Sequence, residues 1–592
     1  MTKHDAFYNL SRWSLNDLFP SNESKEIKKT FDDLEGLICN FELHREKLSE
    51  NIDSILFISI VKELETITKI IQRIGGYAEL WFTEDTQNQA AQSMVAQMEQ
   101  LAAEVSNRVL FFSIWWKSIN DKTASNLMEG TGDYYYWLEE MRHFKPYTLT
   151  EPEEKIINIK DVTGSSALIN LYDAFTNRYT FNLTIAGEHK EITRGELMSF
   201  VRMPDADVRE QAYQELYRVY GNDGPILGQM YQSRIRDWRN ELINLRGYKT
   251  PISPRNLHND IPDTVVETLL DVCVKNTGVF QRFFDLKARM IGMGKLRRYD
   301  IYAPITKSKK EFTFDKTVSL IFDSLDQFDP IFTQMAKRVL DEKHVDSQVR
   351  KGKRSGAFCA TINPELTPWV LVNFQGRSED VATLAHELGH AIHSMLASNH
   401  SIFTQHACLP LAETASTFGE MLLVDRLLEE EKDNSVRRDM LFKQVDDSYA
   451  TIMRQAYFAL FEKTAHQMIS EGSSVDKLSE AYLENLRNQF GESVLIADEF
   501  KWEWVSIPHI YHVPFYVYAY TFGQLLVLSL YKQYKLEGDS FKPKYINILS
   551  TGGSKSPVEI LSESGIDIHN AAFWQGGFDV VEDLVKQLEN LT

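Results

Sequence analysis

The stretch Thr383-Leu384-Ala385-His386-Glu387-Leu388-Gly389-His390-Ala391-Ile392-His393 sets two histidines four residues apart, with a glutamate directly after the first. On an α-helix, residues i and i+4 stand one turn apart on the same face, so both imidazoles reach one ion. Glu387 is rotated off the ligand direction and stands where a general base toward water belongs. Val381, Leu384, Leu388 and Met395 gather on the opposite side, which gives the helix an apolar face to bury. Gly389 lowers helix propensity, and close packing by another element is the expected reason for it.

A catalytic zinc takes three protein ligands and keeps one position open. The metzincin pattern needs Gly and His at positions that hold His393 and Leu396 in this chain. The position at which gluzincin aminopeptidases carry their ligand glutamate is Leu409. The better third ligand is Glu413, within the mostly apolar run from Leu409 to Glu420, where a carboxylate is costly to bury without a cation or metal. Glu413, Thr417 and Glu420 share one helical face, so Glu420 can orient a zinc-bound histidine from outside the ligand set. His400 and His406 compete for the third place from loops. His393 lies one turn further from the ion and is read as supporting the site or facing substrate, with an exposed, solvated ring as the alternative.

Around this helix the composition is that of a globular protein. Of 592 residues, 43% are hydrophobic and 25% charged, and the length calls for at least two lobes. Gly (29) and Pro (17) are sparse, and few turn residues favour long helices over strands. The net charge of −20, without a dense basic cluster, excludes a nucleic-acid binder. The first twenty residues lack a continuous apolar stretch, so no signal peptide is expected. The run from Val109 to Trp116 is too short to cross a bilayer. Cys39, Cys273, Cys359 and Cys408 are scattered and read as buried free thiols in a reducing cytoplasm.

The expected fold class is mainly α. Glu23 to Asn120 reads as long amphipathic helices, and Gly130 to Glu153 as a turn between helical blocks. Tyr179, Phe181, Leu183 and Ile185 alternate with polar residues before Ala186-Gly187-Glu188, which predicts a β-hairpin. Irregular zones are expected at 299–314 and 354–377. Within the second, Trp369 to Phe374 reads as a buried strand, expected to pair with an extended substrate. The C-terminal third is helical again, broken near Val505 to Pro514. Three regions follow: residues 1–120 helical; 121–200 helical with the hairpin, completing an N-terminal lobe; and 201–592 catalytic.

The motif stretch, followed by Ala412-Glu413-Thr414-Ala415-Ser416, resembles the thimet oligopeptidase family of zinc metallopeptidases, specifically its oligoendopeptidase F branch. Lys353-Arg354-Ser355-Gly356-Ala357-Phe358-Cys359, Tyr299-Asp300-Ile301-Tyr302-Ala303-Pro304 and Pro514-Phe515-Tyr516-Val517-Tyr518-Ala519-Tyr520 are similar as well. The likeness runs from about Leu149 to the C-terminus.

The resemblance implies two helical lobes flanking a deep channel that admits short unstructured peptides, with one zinc ion per chain on its floor. It implies that His386, His390 and Glu413 bind zinc and that Glu387 activates water. His509 and Tyr520 are the implied oxyanion donors, and Tyr516, His512 and Tyr518 the implied substrate contacts. The thimet branch carries a glycine-rich loop there, whereas this stretch, from Ile507 onward, has no Gly before Gly523. The expected activity is cleavage of internal peptide bonds. The alternatives are a zinc dipeptidyl carboxypeptidase or exopeptidase on the same scaffold, and a non-catalytic peptide-binding protein. The expected partners are short peptides, with neither nucleic acid nor membrane.

Overall fold

The structure, a computed structural model, describes residues 7–185, 187–305 and 311–591. Helices dominate among them and every strand is short, in keeping with the scarcity of turn residues. The stretch read as long amphipathic helices forms α1 (Lys25–Glu42), α2 (Ser54–Glu84) and α3 (Gln89–Ser118). Each opens on a side-chain cap: Ser24, Asp53 and Asn88 accept backbone N–H groups that the first turn leaves without partners. Phe41, Phe57, Phe112 and Trp116 interlock between them, with Phe57 stacked on Trp116 at a ring separation of 5.1 Å. Residues 130–153 are not simply a turn. They contain the helix Tyr135–His143, which buries Tyr136 and Leu138; at nine residues it is too short for its periodicity to stand out.

The strands are β1 (Phe181–Ile185), β2 (Glu188–Ile192), β3 (Leu296–Arg297), β4 (Val345–Asp346), β5 (Phe358–Ala360), β6 (Trp369–Leu371) and β7 (Val494–Leu495). β1 and β2 form the expected antiparallel hairpin, with Phe181 opposite Ile192 and Ile185 opposite Glu188. Ala186, in its turn, lies outside the described residues, as does 306–310 of the irregular zone at 299–314. β3 and β7 pair in parallel, and the third sheet has the order β4-β6-β5. This order corrects the expectation for Trp369 to Phe374. β6 is the central strand, parallel to β4 on one side and antiparallel to β5 on the other, so its hydrogen-bonding groups are already used. Of the two edges, that of β4 is covered by Ser11, whose carbonyl accepts the Ser347 N–H at 2.9 Å and whose hydroxyl donates to the Val345 carbonyl at 3.0 Å, which leaves the edge of β5.

The chain folds into two compact units interleaved in sequence. One comprises Met1–Lys145, Lys309–Glu430 and Gln533–Ile566; the other comprises Pro146–Ser308, Glu431–Lys532 and Asp567–Thr592. The first holds α1 to α3, the β4-β6-β5 sheet and the motif helix Ser378–Leu396. The second holds the hairpin, the β3-β7 pair, and the helices Ala206–Trp238 and Arg454–Ser470. No helix among the described residues is long and apolar enough to cross a membrane.

The entry to the motif helix is fixed by two devices. Gly376 adopts φ +88°, where a Cβ would lie 2.9 Å from the Phe312 carbonyl oxygen. Asp380 Oδ2 then accepts the backbone N–H groups of Gln375 and Arg377, each at 2.9 Å, which satisfies donors at the helix start. Val381, Leu384, Leu388 and Met395 are all buried, so the apolar face is the one the spacing predicted.

Candidate metal centre

Gly389 decides how closely the second half of the site approaches the first. A Cβ there would lie 2.5 Å from Ser416 Cα and 2.7 Å from the Ala415 carbonyl oxygen. Both atoms are backbone of the helix Thr414–Glu430, so no side chain can give way. Only glycine lets this helix lie against the motif helix. Glu413 immediately precedes that helix, after the short turn Leu409–Ala412, and Glu420 lies within it.

The close approach brings three donors together. His386 Nε2 and His390 Nε2 are 3.2 Å apart, and Glu413 Oε2 is 3.3 Å from the first and 3.4 Å from the second. His386 Nδ1 meets Glu420 Oε1 at 2.5 Å. A carboxylate only accepts, so Nδ1 carries a proton, and in the neutral ring it is Nε2 whose lone pair faces the triangle. An array of lone pairs at such distances needs a cation among them. Tetrahedral ligands at ~2.0–2.1 Å from one zinc ion stand about 3.3 Å from each other, which is the spacing found. The residues present therefore fit a His2Glu metal. Electrostatics points to the same demand for positive charge: burial pulls the His386 pKa down, but hydrogen bonds to Glu413 and Glu420 more than reverse this and raise it to about 10, so the second ring proton holds the place that a bound cation would take. Burial likewise opposes ionisation of Glu413, yet both histidines hold its carboxyl well below the usual range. Ser416 Oγ donates to Glu413 Oε2 at 2.8 Å and fixes that carboxylate.

These donors open on a cavity of about 590 Å³ with Ala357 to Thr361, including β5, on its wall. Glu387 lines it, only 7% exposed, and burial raises its pKa above the ordinary carboxylate value. That shift has the direction a general base near neutrality needs. His393 also lines it and is buried, not solvated. Burial depresses its pKa to about 4, and its ring bonds to the backbone of Ala412, next to Glu413. Of the competing histidines, His406 borders the cavity, whereas His400 is held elsewhere by Asp133 (2.6 Å) and the Ser550 carbonyl (2.9 Å). Asp17, Glu342 and His344 also converge, but Asp17 is exposed and Arg338 already pairs with Glu342 at 2.9 Å.

The cysteines are free, as expected, but only Cys273 is fully buried and Cys39 is exposed, bonded to Glu35. Cys359 is part of the cavity wall, and burial, with Glu387 nearby, keeps its thiol protonated. In sequence it reads only as one of four scattered free thiols, at the end of the Lys353–Cys359 stretch.

The late His/Tyr segment belongs to the second unit. His509, Tyr516 and Tyr520 form a cluster with ring separations of 6.3, 6.2 and 5.4 Å. Desolvation, then the charges of His512 and Arg454, lowers the His509 pKa. His512 is engaged by Asp173 at 2.8 Å. Tyr518, assigned above to substrate contact, is fully buried with its hydroxyl accepting from Asn259 Nδ2 at 2.9 Å. Burial supports a core role for that ring.

The segment is shaped by a contact that its own residues do not announce. Phe515 adopts φ +59°, a left-handed conformation unusual for a bulky residue. Its N–H donates to Glu462 Oε2 at 2.7 Å. Glu462 is fully buried, and its Oε1 has no hydrogen-bond partner among the described residues. Its position directly after Tyr457-Phe458-Ala459-Leu460-Phe461 was the available signal. Burial raises its pKa from 4.5 to about 8. A native pKa above the unfolded one means that stability is greatest below about 4.5 and declines as pH rises through about 8. Glu462→Gln keeps an acceptor for Phe515 and removes the titration. The melting temperature of the variant relative to wild type is therefore expected to climb between pH 5 and pH 9, and a flat difference would refute a protonated Glu462.

Comparison with known proteins follows the same lines. The Peptidase family M3 profile matches residues 199–580, and an Oligopeptidase F profile matches 115–181. The chain is 28% identical to an oligoendopeptidase F homolog of Borreliella burgdorferi, covering 98% of each chain. It is 26% identical to oligopeptidase PepF of Bacillus subtilis, covering 98% of this chain and 87% of that one. A crystal structure of a protein from Chlamydophila abortus superposes with a TM-score of 0.88 at 24% identity over 98% of both chains, which establishes the shared fold.

Proposed function

The chain belongs to peptidase family M3 and is a metallopeptidase, and from that premise we propose that it is a zinc-dependent endopeptidase acting on short unstructured peptides in the cytoplasm. The observation that carries this reading is the donor triangle of His386, His390 and Glu413, with Glu387 buried beside it. Two imidazoles and one carboxylate favour zinc over harder cations. When bound, zinc supplies a Lewis acid that polarises a carbonyl and lowers the pKa of a coordinated water.

The protein's own residues do the rest. Glu420 fixes the tautomer of His386, and Ser416 holds Glu413. Glu387 takes a proton from the attacking water and passes it to the leaving amine. The free edge of β5 pairs with the extended peptide and sets its register. His509, Tyr516 and Tyr520 are neutral donors suited to developing negative charge on substrate oxygen; their mutual clustering and the family likeness support that role.

The test is a digest of mixed peptides, some with blocked termini, followed by mass spectrometry with and without chelator, alongside metal analysis. Internal cleavage of blocked peptides, lost with chelator and restored by zinc, is expected. Cleavage confined to free termini would replace the endopeptidase with an exopeptidase, and indifference to chelator would remove the metal from the reaction.

A further inference from the structure

The first unit holds a second cavity, of about 730 Å³, that shares Ala357, Phe358, Ala360, Thr361 and His406 with the metal cavity. β5 therefore runs along both. The other wall of this second cavity is α2, through Ile71, Gly75, Glu79 and Leu80 among others. Two adjacent glycines, Gly75 and Gly76, sit inside that 31-residue helix, in its C-terminal half, where each weakens it relative to alanine.

Packing accounts for one of them. A Cβ on Gly76 would lie 2.4 Å from Ile362 Cδ1. It does not account for the other, because a Cβ on Gly75 would meet nothing within 4 Å. What Gly75 borders is the cavity. A helical position that could hold a side chain without a clash, yet holds none, leaves room for something else.

We propose that this cavity is a substrate subsite for a bulky apolar or aromatic side chain, and that Gly75 keeps it open. The inference rests on the reading of β5 as the strand that pairs with substrate. Side chains alternate along a strand. Cys359 lines the metal cavity and not the second one, while Phe358 and Ala360 reach the second as well and pack with the core that includes Ile74, Leu80 and Ile362. A peptide aligned with β5 alternates in the same way and sends every second side chain toward α2. The lining there is apolar at Ile71, Leu80, Ile362 and Phe358. The charges present, Glu79 and Arg354, already pair with each other at 2.7 Å. The volume falls in the range of ~300–1,000 Å³ typical of ligand pockets, ample for a large side chain.

The test is cleavage-site profiling of a mixed peptide library with wild type, Gly75→Ala and Gly75→Leu, together with their melting temperatures. Wild type is expected to select Phe, Leu, Tyr or Met at one position fixed relative to the scissile bond. Gly75→Leu should lose at least about tenfold in kcat/KM for those peptides. Peptides with Ala at that position should change far less, and the melting temperature should not fall. Gly75→Ala should show a smaller loss of the same kind, which keeps the question decidable if the leucine variant folds poorly. A cleavage profile identical to wild type, or an equal loss on every peptide, would overturn the subsite. Absence of chelator-sensitive cleavage by wild type would overturn the peptidase reading itself, so the two failures are distinguishable.

Discussion

Glu387→Gln is expected to keep its metal and lose roughly 10²- to 10⁴-fold in kcat, the usual contribution of a positioned general base. The substitution preserves the size and shape of the side chain, and Glu387 lies outside the His386, His390 and Glu413 triangle, so metal content should match wild type. A buried carboxyl with a raised pKa accepts a proton more strongly than an exposed one and then releases it as an acid. Glutamine can do neither. KM should change little, because the lost interaction belongs to proton transfer and not to substrate binding. The pH profile supplies a second readout. Activity that needs the Glu387 carboxylate falls as pH drops through its pKa, and in the glutamine variant that acid limb should disappear from the residual rate. Quenched-peptide kinetics across pH, with metal quantified on the same samples, measures all three quantities. Full activity in the variant would sink the mechanism.

The sequence made the motif helix legible because its two periodic signals coincide. The i, i+4 histidines and the apolar positions on the opposite side demand the same helix, and Val381, Leu384 and Leu388 are buried as that demands. Glu413 and Glu420 were legible because carboxylates in an apolar run need a cation. What stayed hidden depends on contacts between segments far apart in the chain. Strand order is one case: Trp369 to Phe374 is apolar because β6 is central, and the same apolarity had suggested a substrate-pairing edge. Tyr518 is a partial case: Tyr516 and Tyr520, four apart, share a helical face that Tyr518 leaves, but only its burial against Asn259 shows that it belongs to the core. The left-handed Phe515 and its hydrogen bond to Glu462 leave no local mark at all, because a bulky residue is not what a positive φ selects. The two interleaved units are invisible for the same reason.

Glu413→Gln and Glu420→Gln should separate a ligand from the residue that orients one. Both carboxylates sit on the same short segment, and both face His386. They act on different atoms. Glu413 Oε2 is a vertex of the donor triangle, and its negative charge partly neutralises a divalent ion. The amide oxygen of glutamine keeps the shape and loses that charge. Glu420 meets His386 at Nδ1, outside the donor triangle, and its removal leaves three donors with one imidazole less firmly held. Loss of such an outer partner costs about 10–100-fold in metal affinity, and loss of the charged ligand should cost more than this. Titration of the apo variants with zinc against a competing chelator would give the order wild type, then Glu420→Gln, then Glu413→Gln. Activity at fixed low zinc should follow that order, and excess zinc should restore Glu420→Gln but not Glu413→Gln. If Glu413→Gln held zinc as tightly as wild type, the third ligand would have to be sought at His406 or His393, the other histidines on the cavity wall. The close helix approach at Gly389 would then need a different explanation, since its value lies in bringing Glu413 within reach of both imidazoles.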